Sequence, residues 1–380
     1  MNQNYTKTLK PSIFHNRVLW VDVLKMLGMW GIYISHFMES GGRIYHFTFT
    51  FLAELFFIMS GFFVSWDKDE KILPFIWKKF KHIMIPYFCF SFLYELIAVL
   101  SNGIGPGKLY EDSKMIFLGI RTTLPAPALW FLPCLFVITV LYRIAMQICR
   151  KNKYIVFTAA FVIACIYPYQ SPSWFWNLDS ALKFMVFFAL GPVIFPFINK
   201  ISVQPNACMY STQRKIITIV VTACCFAFAA LIYFTNIDII WQHFPVQLPG
   251  ILYRLYRIIA AAVIIVPFIQ LALLLQKIPL ISKIGKQSLI LCGTETATKV
   301  LLASFLSIFG ITVRLTSTLA TVLYAMLCLI VSYLLFVPFF HKYMPWMLGY
   351  WKSKTKNQKN IADRKSEEPV VTEKEKILSH

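Results

Sequence analysis

Runs of about 20 apolar residues, broken by short polar or basic stretches, recur along the chain from residue 18 to residue 340. None of these runs shows the strict two-residue alternation of a half-buried strand, and each is long enough to cross hydrocarbon as a helix. The pattern predicts about ten spans, near residues 18–38, 46–66, 83–101, 128–149, 153–169, 181–199, 215–235, 250–275, 286–310 and 316–340. Backbone polar groups have to be satisfied internally in lipid, so the expected fold is all-α: a polytopic transmembrane helix bundle.

Composition agrees with the pattern. Hydrophobic residues make up 58% of the 380-residue chain and charged residues 14%, outside the balance of ordinary soluble domains. The formal net charge of +20 does not point to nucleic acid, because the cations lie in short breaks between apolar runs. They cluster at Lys7, Lys10 and Arg17, at Lys68 to Lys81, at Arg150 to Lys153, at Lys200 to Lys215 and at Lys277 to Lys286. With ten spans all of these fall on one side, which makes both termini cytoplasmic. The nine Cys are scattered through apolar runs without paired spacing, so neither a disulfide frame nor a metal site is expected. No removable signal peptide is expected either, since no small-residue cleavage site follows the first apolar run. Residues 1–350 read as the membrane domain, and residues 351–380 as a disordered basic cytoplasmic tail with too little apolar surface to fold.

Some side chains are expensive where they stand. The first span, WVDVLKMLGMWGIYISHF, carries Asp22, Lys25 and His36. Their offsets of 3, 11 and 14 residues are close to whole helical turns, so they share one face. Gly28, Gly31 and Ser35 keep that helix slim. Intramembrane charges usually line a cavity or carry chemistry, and histidine suits general-base work near neutral pH. The bland alternative is an i,i+3 ion pair between Asp22 and Lys25, with His36 snorkelling outward. Lys25 and His36 are separated by about 16 Å at 1.5 Å per residue.

Further strings accompany this face. FFIMSGFFVSW (56–66) offers Ser60 and Gly61 as a close approach between helices. WKKFKHIMIPYF (77–88) leads into the third span with Lys79, Lys81 and His82, which either orient the helix or bind phosphate. PALWFLPCLFV (127–137) opens the fourth span, and Trp130 suits an interfacial belt or a stacking platform for a sugar ring. LYRLYR (252–257) sets Arg254 and Arg257 at the outer start of a span, against the positive-inside bias, which suggests either a glycan contact or an interface anchor. IGKQSLILCGTE (284–295) ends on Glu295, which either pairs with Lys299 one turn on or lines the same cavity as Lys25 and tunes or orients the site there.

Together these strings resemble the bacterial membrane acyltransferases of the acyltransferase 3 type, which include sugar O-acetyltransferases. In that family an Asp, a basic residue three positions on and a His eleven positions further occur in the first span; here they are Asp22, Lys25 and His36. The chain departs from the family in carrying Lys79, Lys81 and His82 where arginines are common, and Glu295 where many relatives have histidine. The resemblance implies a multi-pass protein of the bacterial cytoplasmic membrane that moves an acyl group, acetyl in the first place, from acyl-CoA to a hydroxyl of a cell-surface polysaccharide or lipid-linked sugar. No permanently bound cofactor and no metal is implied, with acetyl-CoA entering as the donor substrate. His36 would be the general base or a transient acyl carrier, with Asp22 and Lys25 along the donor path. Lys79, Lys81 and His82 would take the coenzyme A phosphates, and Trp130, Arg254, Arg257 and Glu295 would meet the acceptor. A flippase or polymerase of lipid-linked oligosaccharide is the alternative, but the sequence lacks paired broken spans in its two halves and a large basic outer loop.

Overall fold

The computed structural model describes residues 18–64, 70–103, 105–167, 174–203, 212–235 and 250–349. The basic N-terminal segment, Lys68, the expected outer loop at 236–249 and the tail from residue 351 lie outside them. The described residues form helices and no strands. In chain order the α-helices are α1 (Leu19–Ser35), α2 (Gly42–Thr48), α3 (Leu52–Gly61), α4 (Ile72–Lys79), α5 (Ile85–Asn102), α6 (Pro106–Leu118), α7 (Phe131–Ile148) and α8 (Lys153–Ile166). They continue with α9 (Leu178–Val203), α10 (Thr212–Thr235), α11 (Gly250–Leu275), α12 (Pro279–Gly285), α13 (Ser288–Gly293), α14 (Glu295–Ile308) and α15 (Thr318–Tyr343).

Among the described residues, five stretches are long and apolar enough to cross a membrane: Ile72–Leu100, Pro127–Ile148, Phe175–Ser202, Gly250–Leu275 and Thr318–Tyr343. A sixth is a bent pair, Met38–Thr48 with Leu52–Gly61, turned through 51°. The other expected spans are shorter or interrupted. The 17 residues of α1 rise about 25 Å, short of the roughly 30 Å of hydrocarbon. The run expected at 286–310 breaks at Thr294 into α13 and α14. The third span begins earlier than expected, because a π-helical turn at Phe80–Met84 joins α4 to α5 and carries the helix through the basic cluster. The loop expected at 102–127 holds α6.

Glycines set the closest helix contacts. A Cβ on Gly61 would strike the carbonyl oxygen of Phe188, and one on Gly191 would lie 2.6 Å from that of Ile58, so α3 and α9 meet backbone to backbone. This is the close approach that small residues permit inside a membrane. Gly285 of α12 lies directly against the carbonyl of Asp22 on α1. Gly28 faces Leu55 and Phe56, and Gly31 faces Leu52, so α1 and α3 run antiparallel in contact. Aromatic rings fill the space beyond, with Phe57 packed on Phe131 and Phe184 at centroid distances of 4.6 and 4.9 Å. The α7–α8 turn uses positive φ at Arg150 and Lys151, and Asn152 then caps α8 by accepting from the backbone N–H groups of Tyr154 and Ile155.

Candidate active site

A cavity of about 610 Å³ opens along one face of α1. Lys25, Met29, Ile32 and His36 line it, following the helical spacing read from the sequence, so the cation and the imidazole share one wall. Opposite runs α3, whose Glu54 and Ser60 also line the cavity. Because α1 and α3 are antiparallel, Lys25 lies near Phe63, 5.9 Å from its ring centroid, while Glu54 belongs to the end that holds His36. Asp22 is buried behind this wall, 3.8 Å from the Lys25 ammonium, and does not line the space.

His36 caps the C-terminus of α1, and its Nδ1 lies 2.9 Å from Glu295 Oε2. The interruption at Thr294 makes this contact possible. It starts a new helix at Glu295, placing the carboxylate in a first turn, where the helix dipole favours negative charge. Glu295 is 3% exposed and also pairs with Lys299, whose ammonium sits 4.0 Å from the centroid of the Phe37 ring. With the carboxylate on Nδ1, that nitrogen is the donor of the pair, and Nε2 is the ring atom turned away from Glu295. Tyr33 OH, donating to the Leu291 carbonyl at 2.9 Å, ties α1 to α13 beside this pair.

The remaining candidates divide. Trp130 and Arg257 line the cavity. The Trp130 ring is half-buried, and the Arg121 guanidinium covers it at 3.9 Å from the ring centroid. Arg257 donates to the Phe49 carbonyl at 3.0 Å, whereas Arg254 turns away and donates to the Cys165 carbonyl at 2.6 Å. Glu295 does not line the cavity and reaches it only through His36. Lys79, Lys81 and His82 also lie outside the lining: the first two sit over the Phe75 and Trp77 rings, and His82 packs against Gly349.

Sequence reasoning passed over Glu54, Arg121 and Lys183, all of which line the cavity. Glu54 and Lys183 stand in apolar runs, where the argument applied to Asp22 and Lys25 would have found them. Arg121 gives no such signal, since it sits in a polar connection and arrives through folding of the loop after α6. The buried Arg143 is structural, donating to the Glu70 carbonyl at 2.6 Å and so tying α7 to the chain before α4.

The chain matches the family described as an acyltransferase domain over residues 18–349, which takes in every element described above. No curated protein and no solved structure matches it significantly. A match of that extent, over a helical membrane bundle with a histidine set at the wall of its cavity, makes the chain a member of the acyltransferase 3 family.

Proposed function

We propose that the cavity is where an acyl group, acetyl in the first place, passes from acyl-CoA to a hydroxyl of a cell-surface polysaccharide or lipid-linked sugar. The observation that carries this reading is that Lys25 and His36 share one cavity wall, with His36 Nδ1 held by the buried Glu295. His36 Nε2 removes the proton of the acceptor hydroxyl, and the oxygen attacks the thioester carbonyl carbon. Collapse of the tetrahedral adduct breaks the carbon–sulfur bond, and the thiol of coenzyme A leaves with the proton held by the imidazolium. Glu295 fixes the tautomer and stabilises the cationic ring. The pantetheine arm enters from the Lys25 end, about 16 Å from His36 along α1, and Lys79, Lys81 and His82 hold the phosphates at the cytoplasmic face. In this reading the chain crosses the bacterial cytoplasmic membrane about ten times, with the segments before α1 and after α15 on the cytoplasmic side.

The test incubates membranes carrying the protein with radiolabelled acetyl-CoA and follows label into surface polysaccharide. Wild type is expected to transfer label, and His36→Ala at equal membrane abundance to transfer none. Undiminished labelling by His36→Ala removes the histidine from the mechanism.

A further inference from the structure

The cavity is electrically lopsided. At the Lys25 end its lining has one cation, with Asp22 behind it. At the His36 end, among the described residues, three cations, Arg121, Lys183 and Arg257, line the space beside one carboxylate, Glu54. All three line the same cavity and act on Glu54 electrostatically. They come from three places in the chain, the loop after α6, the first turns of α9 and the first turns of α11, and only the fold brings them together. Asp179 adds a second carboxylate nearby, but it does not line the cavity, and its oxygens accept from the backbone N–H groups of Trp174 and Ser180. Glu54 is 5% exposed, and its Oε2 accepts no hydrogen bond among the described residues.

We infer that the His36 end of the cavity is a subsite for an oxyanion carried by the acceptor, with Arg121, Lys183 and Arg257 binding the anion and the buried Glu54 holding the cations together. The acceptor class is therefore an acidic sugar, bearing either a carboxylate or a phosphate. Guanidinium groups suit both, through paired N–H donors. Arg121 and Trp130 together present a stacked cation and ring, so a sugar bound there meets a flat wall on one side and charge on the other. The inference deepens the proposed acyl transfer and rests on it only for the statement that the anion belongs to an acceptor.

Binding is measured on the full-length protein in nanodiscs with three probes: a neutral disaccharide, the same disaccharide with one uronate, and the same disaccharide with one phosphate monoester. At least one anionic probe is expected to bind about tenfold or more tighter than the neutral one, with the advantage shrinking as salt rises. Whether uronate or phosphate gains more identifies the source of the anion. Lys183→Gln and Arg257→Gln are each expected to remove most of that preference, and Lys183→Arg to keep it. The preference should survive His36→Ala, which retains the whole cluster. Equal binding of all three probes, binding of none, or a preference untouched by Lys183→Gln and Arg257→Gln overturns the subsite. The labelled-transfer assay separates the two ideas: charge preference without transfer removes the enzymatic reading alone, and transfer indifferent to acceptor charge removes the subsite alone.

Discussion

Glu295→Gln changes one atom at a buried point of the site and tests how His36 is held. The carboxylate makes two contacts, one to His36 Nδ1 at 2.9 Å and one to the Lys299 ammonium. A hydrogen bond to a charged group contributes about 1.5–3 kcal/mol. If that difference appears as the imidazole becomes cationic in the transition state, kcat falls about 10- to 100-fold. The KM for acetyl-CoA stays within about twofold, because the contact is strengthened in the transition state rather than in the ground state. The second contact complicates the reading. Leaving Lys299 buried at 15% side-chain exposure without its carboxylate threatens the fold, since breaking a buried pair costs about 3–5 kcal/mol. The double variant Glu295→Gln, Lys299→Met removes that orphaned charge, and membrane abundance should recover while kcat stays low. Initial rates of label transfer, normalised to folded protein, make the comparison. If the double variant turns over at the wild-type rate, Glu295 serves folding alone and the orientation argument fails.

Four further outcomes follow from the geometry. Lys25→Met should raise the KM for acetyl-CoA with little change in acceptor affinity, and unchanged donor binding in a direct assay would remove Lys25 from the donor path. Gly285→Ala should lower the melting temperature and membrane abundance by overpacking of about 1–3 kcal/mol, because its Cβ has no room beside the Asp22 carbonyl; a wild-type melting curve would contradict that contact. Trp130→Ala should weaken acceptor binding more than Trp130→Phe, as the Arg121 stack loses its platform; equal effects would make the ring a filler. Asn152→Ala should cost about 1 kcal/mol of stability through loss of the α8 cap, while label transfer below the melting temperature stays unchanged.

The helical membrane class and the shared face of Lys25 and His36 were legible because each depends on spacing within one helix. The partner of His36 was not, since Glu295 lies 259 residues away and sequence offered its neighbour Lys299 one turn along as an equally good mate; the carboxylate in fact contacts both. Arg254 and Arg257 looked alike in LYRLYR, yet Arg254 is held by the Cys165 carbonyl and Arg257 lines the cavity, a division set by partners distant in the chain. Span boundaries erred where helices break for geometric reasons, at the 51° bend before Leu52 and at Thr294, neither of which is marked by proline. The run of cations at 78–82 was read as a boundary because charge usually ends a span, but here the helix continues through a π turn.

The short first helix bears on which nucleophile wins. Ser35 ends α1, and the imidazole that follows it stands at 26% side-chain exposure deep in a cavity walled by residues such as Met29, Ile32, Phe56 and Leu132. A thioester brought to that depth meets few stray solvent molecules. Under the proposed chemistry, the partition between productive esterification and wasteful hydrolysis is set by how completely an incoming carbohydrate stoppers the opening.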